Sequence, residues 1–351
     1  MKIAIANDST MAAEALRRVV AGSGHQVAWI ARTGVDAVRL CVEQPPDIVL
    51  MDLTMPQMDG VEAIRRIMRE APCAILVVTA APKDNTGQVF AALGAGALDV
   101  VATPVLLGEP DGAAALLAKI RTLGMLVRGA RPAAARVTPV RRLARAARPA
   151  SAPVPAAGPL PRRLVAIGAS TGGPVALARL LGAWRPPSDT AVVIVQHIDA
   201  VFAMQMARWL GEQTAIPVRP IVDGAPLEGG VVLVAASADH LRLGPDSRLH
   251  YDPEPLGEVY RPSIDVFFRS MALHWSRPAV GILLTGMGRD GAAGLLALRQ
   301  AGHATVAQDQ ASSAVYGMPR AAASLGAAEK ILPLDNIASY LSGTMADPPP
   351  Y

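Results

Sequence analysis

Ser170 stands in Gly168-Ala169-Ser170-Thr171-Gly172, directly after the apolar run Leu164 to Ile167. A short buried strand that stops at glycine and turns into a helix holds such a hydroxyl at a sheet edge. The flanking glycines give the tight turn room, and the backbone N–H groups behind it point at a developing oxyanion. A bare serine hydroxyl is a weak nucleophile and needs a base and an orienting acid. The next apolar run ends Val195-Gln196-His197, so His197 sits at the end of the following strand and can reach the same edge. His240, His250, His274 and His303 lack that position. The acid is expected from a third strand end, Leu283-Leu284-Thr285-Gly286-Met287-Gly288-Arg289-Asp290-Gly291, with Asp290 where a helix begins. The glycines and Met287 there can present a backbone N–H to an oxyanion. Two alternatives stay open. The Gly168–Gly173 turn also suits a phosphate or dinucleotide, although it lacks both Gly-x-Gly-x-x-Gly and the lysine of a P-loop. Asp290 also reads as a plain helix N-cap. The order Ser…His…Asp differs from the Ser…Asp…His of α/β-hydrolases.

A second constellation lies near the N-terminus. Asp8 follows the first apolar run, Asp52 ends the third in Val49-Leu50-Met51-Asp52-Leu53-Thr54, and Thr79 ends the fourth. Two carboxylates side by side repel unless a divalent cation lies between them, and oxygen-only ligands favour Mg²⁺. Such a set, with a hydroxyl opposite, suits phosphoryl transfer to a carboxylate. The plainer alternative makes Asp8 and Asp52 loop or capping carboxylates.

The elements that must position these residues follow from periodicity. Runs at Ile3–Ala6, Val27–Ile30, Ile48–Met51, Ile75–Val78 and Leu98–Val101 read as buried parallel strands, with helical patterns between them such as Met11–Val20 and Val61–Arg69. From Arg163 a second series begins. Its strands are expected at Leu164–Ile167, Ala191–Gln196, Val231–Val234, Ala279–Leu284 and Thr305–Ala307. Its helices are expected at Pro174–Leu181, Val201–Glu212, Ser263–Trp275, Gly291–Ala301 and Pro319–Leu325. His240–Leu243 and Leu249–Tyr251 read as a β-hairpin appended to the sheet. The fold class is therefore α/β, two doubly wound parallel-sheet domains, the first flavodoxin-like and the second Rossmann-like.

A chain of 351 residues suits two domains. The expected division is 1–124, a flexible linker 125–161, a second domain 162–346 and a disordered tail 347–351. The linker is rich in Ala, Arg and Pro, with prolines at 132, 139, 149, 153, 155, 159 and 161 that forbid a long helix. No acidic residue occurs between Asp111 and Asp189. That basic interval has no interleaved aromatics and no helix-turn-helix pattern follows it, so nucleic acid is not the expected partner. No segment has transmembrane length, and the N-terminus opens on a strand; cytoplasmic residence without membrane insertion is expected. Cys41 and Cys73 read as reduced core residues, with nothing in the sequence to bring them together.

Residues 1 to about 122 resemble a bacterial response-regulator receiver domain. The resemblance implies that Asp52 is phosphorylated, that Asp8 and the Thr54 carbonyl join it around Mg²⁺, and that Thr79 is the switch hydroxyl. Three positions depart from the receiver pattern. Asn7 replaces one member of the acidic pair, Thr103 replaces the lysine before Pro104, and Val100 replaces the aromatic switch. Weakened coupling between phosphorylation and shape is expected.

Residues 163 to 342 resemble the CheB family of protein-glutamate methylesterases and glutamine deamidases. The resemblance rests on Ile167 to Gly173, Gln196-His197, Arg261 to Asp265, Leu284 to Gly291 and Tyr316 to Pro319. It implies a Ser170–His197–Asp290 triad with Thr171 nearby and the Met287 N–H in the oxyanion hole. Methyl-accepting receptor helices would be the substrate and a chemotaxis-type sensor histidine kinase the phosphodonor. The turn Ile198 to Phe202, with Asn7 and Thr103-Pro104, looks more like the Wsp-type surface-sensing subgroup. No metal is expected in the hydrolase chemistry, and a monomer is expected, its receiver hindering access to the esterase site. The alternative of another class is a receiver-controlled binding protein without catalysis.

Overall fold

Continuous runs of Val, Ile and Leu with no polar alternation belong to strands covered on both faces, and the computed structural model builds two parallel sheets from them. It describes residues 1–79, 86–104, 110–129, 160–258 and 260–344. Two units arise, Met1–Val140 and Arg141–Tyr351.

The first unit runs β1 (Lys2–Ala6), α1 (Thr10–Gly22), β2 (Gln26–Ala31), α2 (Gly34–Glu43), β3 (Ile48–Met51), α3 (Gly60–Glu70), β4 (Ala74–Thr79), α4 (Thr86–Gly94), β5 (Asp99–Ala102) and α5 (Pro110–Gly129). The sheet order is β2-β1-β3-β4-β5, parallel throughout. Side chains on the strands, among them Ile3, Ile5, Ile48, Leu50, Leu76 and Val78, are fully buried against Leu16 of α1 and Leu116 and Ile120 of α5. Helices begin where the side chain can replace a missing backbone acceptor: Ser9, Thr33 and Asp59 cap α1, α2 and α3. Helix α5 continues to Gly129, past the boundary at 124. Most of the expected linker and the tail lie outside the described residues.

The two cysteines are free thiols, as expected, but they are neighbours, which the sequence did not indicate. Cys41 on α2 and Cys73 before β4 lie side by side as free thiols. Their mutual hydrogen bond, together with burial, pushes the Cys73 thiol up.

The second unit runs β6 (Arg163–Ala169), α6 (Gly173–Ala183), β7 (Thr190–Gln196), α7 (Ala200–Thr214), β8 (Val218–Pro220), β9 (Ala225–Pro226), β10 (Val232–Val234), β11 (His240–Leu243) and β12 (Arg248–Asp252). It continues with α8 (Ile264–His274), β13 (Ala279–Leu283), α9 (Ala292–Gln300), β14 (Ala304–Gln308), α10 (Met318–Ser324), β15 (Lys330–Leu332) and α11 (Leu334–Thr344). The seven-stranded sheet has the order β15-β14-β13-β6-β7-β10-β8. All its pairs are parallel. The hairpin β11–β12 forms as expected but is not appended to this sheet; it joins β9 in a separate three-stranded antiparallel sheet.

The chain starts at β6 in the middle, passes through β7 to the edge strand β8 and fills the gap between them with β10, then returns beside β6 with β13 and works outward through β14 to β15. That reversal opens a crevice at the strand C-termini, where open α/β sheets place their ligands.

Candidate active site

Ser170, His197 and Asp290 all fall at that crevice. Ala169 of β6 is in register with Gln196 of β7, so Ser170 and His197 leave adjacent strands at the same level. The His197 amide donates to the Ala169 carbonyl at 2.9 Å. On the other flank β13 pairs with β6 up to Leu283↔Gly168 and leads into the turn bearing Asp290.

The Ser170 turn is held by backbone bonds. Its amide donates to the Thr285 carbonyl at 3.0 Å, and its carbonyl accepts from the Gly173 amide at 2.7 Å. Gly172 has φ +77, a left-handed conformation that a side chain would strain. A Cβ on Gly286 would lie 2.7 Å from the Ser170 Cβ, so only glycine lets the third strand end approach the hydroxyl.

His197 and Asp290 meet directly, Nε2 to Oδ2 at 2.7 Å, with both side chains almost fully buried. An ionised carboxylate only accepts, so Nε2 carries the proton and the ring lone pair is on Nδ1. Nδ1 is buried and has no hydrogen-bond partner among the described residues. Nδ1 is therefore the nitrogen left able to accept a proton, the reverse of the common triad arrangement in which the acid holds Nδ1. Ser170 and Nδ1 are not hydrogen-bonded to each other; such contacts commonly tighten only around substrate.

Asp290 is not the N-cap of the helix that follows it, since Gly291 takes that place in α9. Its carboxylate is instead gripped by the start of α8. Oδ2 accepts from the Ile264 amide at 2.7 Å, and Oδ1 accepts from the Ser263 hydroxyl at 2.8 Å and the Asp265 amide at 3.1 Å. Burial pushes this carboxyl up, but the His197 hydrogen bond and charge and the two helix amides outweigh it and hold it below its ordinary value.

Sequence reasoning gave no role to three residues around this pair. Ser263 caps α8 and bonds Asp290; a serine just before an apolar helix was the available signal. Gln196 sends its side-chain amide to the Ser170 carbonyl at 2.8 Å and the His197 carbonyl at 3.2 Å, clamping the two strand ends together. Tyr260 stacks on the His197 ring. Nothing local in the sequence marks either of these last two.

The other histidines do different work. His240 is fully buried and its Nδ1 accepts from the Ser263 amide at 3.0 Å. His250 pairs with Asp246, and His303 with the Trp275 carbonyl. Thr171 is buried, and its carbonyl accepts from Thr285 Oγ1 at 3.0 Å. The Gly286 carbonyl accepts from the Gly317 and Met318 amides, which in a trans peptide turns the Met287 N–H away from α10.

In the first unit β3 lies between β1 and β4, so Asp52, the Asn7-Asp8 pair and Thr79 share one sheet edge. Asp52 Oδ1 accepts from the Leu53 amide at 2.7 Å and more weakly from Thr54 at 3.5 Å. Asn7 donates its side-chain amide to Oδ2 at 3.0 Å. Burial, with Asp8's charge adding to it, raises the Asp52 carboxyl against the pull of the Leu53 and Thr54 amides. Asp8 is exposed and Thr79 buried. Thr103 Oγ1 is buried and unpaired among the described residues, and Val100 belongs to the core.

Comparison with known proteins decides the family. The CheB methylesterase model matches residues 165–341, and the response regulator receiver domain model matches residues 3–109. The chain belongs to the CheB methylesterase family. Protein-glutamate methylesterase/protein-glutamine glutaminase 2 of Pseudomonas syringae pv. syringae is 53% identical over 97% of this chain and 98% of its own. The enzyme of the Pseudomonas putida group 3 operon, with the same activities in its name, is also 53% identical over 97% and 98%. The solved CheB methylesterase catalytic domain of Thermotoga maritima is 28% identical, covering 51% of this chain and 96% of that one, with a TM-score of 0.47. This CheB-family chain carries a receiver domain ahead of its methylesterase domain.

Proposed function

We propose that this protein hydrolyses γ-glutamyl methyl esters on methyl-accepting receptor proteins, releasing methanol, and converts receptor glutamines to glutamate. The relatives' shared name supports the activity. The observation that carries the site assignment is the buried His197–Asp290 pair, whose free Nδ1 lies at the strand end beside Ser170.

The Ser170 hydroxyl adds to the ester carbonyl and passes its proton to Nδ1. Asp290 holds Nε2–H and offsets the positive charge that the ring acquires. The carbonyl oxygen, now negative, is met by backbone N–H groups at Thr171 and Met287. Collapse of the adduct expels methanol, which takes the proton from Nδ1, and leaves an acyl ester on Ser170. Water repeats the cycle: it gives a proton to Nδ1, and the glutamate carboxyl leaves as Ser170 recovers its hydrogen. A glutamine amide follows the same course and releases ammonia.

The receiver accepts a phosphoryl group on Asp52 from a chemotaxis-type histidine kinase. Asp52 and Asp8 follow the ends of the adjacent strands β3 and β1, and their carboxylate oxygens are the hard donors that suit a divalent cation. Asp8, Asp52 and the Thr54 carbonyl would hold Mg²⁺, which neutralises charge on the transferring oxygens when bound. We place the enzyme in the cytoplasm as a monomer, acting on chemosensory receptors of the Wsp-like surface-sensing type.

Methanol release from methylated receptor, with and without a phosphodonor, is the test. Ser170→Ala should lower turnover by about 10⁴-fold or more with the fold unchanged. Retained turnover removes Ser170 from the nucleophile's role.

A further inference from the structure

Tyr260 lies flat on the imidazole of His197. The ring centroids are 4.2 Å apart and the planes differ by 6°. The far end of the tyrosine rests against the turn after β13, where a Cβ on Gly288 would come within 3.0 Å of the phenol oxygen. Burial, and then the Asp290 charge, raise the phenol. Among the described residues, the ionisable groups that meet the imidazole are Asp290 at Nε2 and Tyr260 over its face.

The imidazole is neutral before the reaction and cationic once it holds the Ser170 proton. An aromatic face attracts a cation far more than a neutral ring, so a stacked tyrosine favours the protonated form selectively. The parallel arrangement also resists rotation of the imidazole out of the plane that keeps Nε2 on Asp290. A carboxylate at the edge and a π face above therefore stabilise the same transient charge from two directions.

We propose that Tyr260 is a positioning residue for this enzyme's base, whose aromatic face stabilises the imidazolium formed when Ser170 attacks. The proposal rests on the triad assignment above. It assigns the effect to the ring and none to the hydroxyl.

The test uses the full chain and methanol release measured across pH, with kcat and KM separated. Tyr260→Phe keeps the ring and should hold kcat within about two-fold, with the acid limb in place. Tyr260→Leu keeps an apolar cover but no π face. It should lower kcat by about 3- to 30-fold at unchanged KM. Its acid limb should move to lower pH, because His197 loses a partner that favours its charged form. If the leucine protein does not fold, Tyr260→Trp replaces it and should keep kcat with the acid limb unmoved or shifted upward. A leucine variant with wild-type kcat and acid limb overturns the proposal. So does a phenylalanine variant that falls as far as leucine, a tryptophan variant that loses kcat, or an effect confined to KM. Ser170→Ala and His197→Ala run beside these variants. Their inactivity with an unaffected leucine variant removes only the stacking role, whereas activity in either alanine variant removes the triad itself.

Discussion

A carboxylate that must stay charged while buried needs donors, and Asp290 has four: His197 Nε2, the Ser263 hydroxyl and the amides of Ile264 and Asp265. Each oxygen is thereby fixed, and with it the rotation of the imidazole. Removing the hydroxyl with Ser263→Ala deletes a hydrogen bond to a charged group and the cap of α8. The expected cost is about 1.5–3 kcal/mol of stability, with kcat falling and KM steady; thermal unfolding and methanol release check it. The depressed Asp290 carboxyl also sets a pH dependence. A carboxyl lowered on folding contributes stability above its unfolded pKa, and that contribution is lost as pH falls through the lower folded value. Asp290→Asn should therefore melt below wild type at neutral pH, and the gap should close at acid pH. A gap constant with pH would contradict the ionised assignment. Ser170, His197 and Asp290 were legible because each follows an apolar run that ends at the crevice. Tyr260 and Gln196 were not, because their meaning lies in partners that local pattern does not reveal.

Among the elements, the long apolar strands and their helices follow from periodicity, and their order forces one working edge on each sheet. Short elements were harder. Strand β15 is three residues with an exposed Lys330 and Ile331, so no run of apolar side chains announces it. Strand β8 is likewise three partly covered residues. The hairpin was visible in its turn and alternation, yet its third partner, β9, is only Ala225–Pro226, which no local pattern would mark. The Cys41–Cys73 contact joins a helix to a loop 32 positions on in the chain, a pairing that spacing alone cannot supply. Helix α8 shows what sequence does carry: Ser263 before Ile264, Phe267, Phe268 and Met271 describes both its cap and its buried stripe. The same N-terminus then turns two of its free amides to the Asp290 carboxylate.

For the whole molecule, each unit has its own buried core, one around Ile5 and Leu50 and the other around Phe267, Leu283 and Val193. The methylesterase unit should therefore fold alone. Deleting residues 1 to about 155 is expected to give a cooperatively melting protein that still releases methanol. A purified fragment that melts without a transition would defeat the independence of this unit. The receiver's departures at Asn7, Thr103 and Val100 were plain from sequence, and where the receiver pattern has a lysine the structure places the Thr103 hydroxyl, buried and unpaired among the described residues.

The outward growth of the second sheet from its middle also orders events on the ribosome. Ser170 and His197 emerge early, with β6 and β7, but the strand that must lie on the other flank of β6 is translated only after the three-stranded sheet and α8. Until β13 is made, that flank of β6 has no strand to pair with, and an open edge is a site for wrong pairing. β13 covers that flank and brings the turn bearing Asp290 to Ser170 and His197 in the same step, and β14 and β15 then cover β13 in turn.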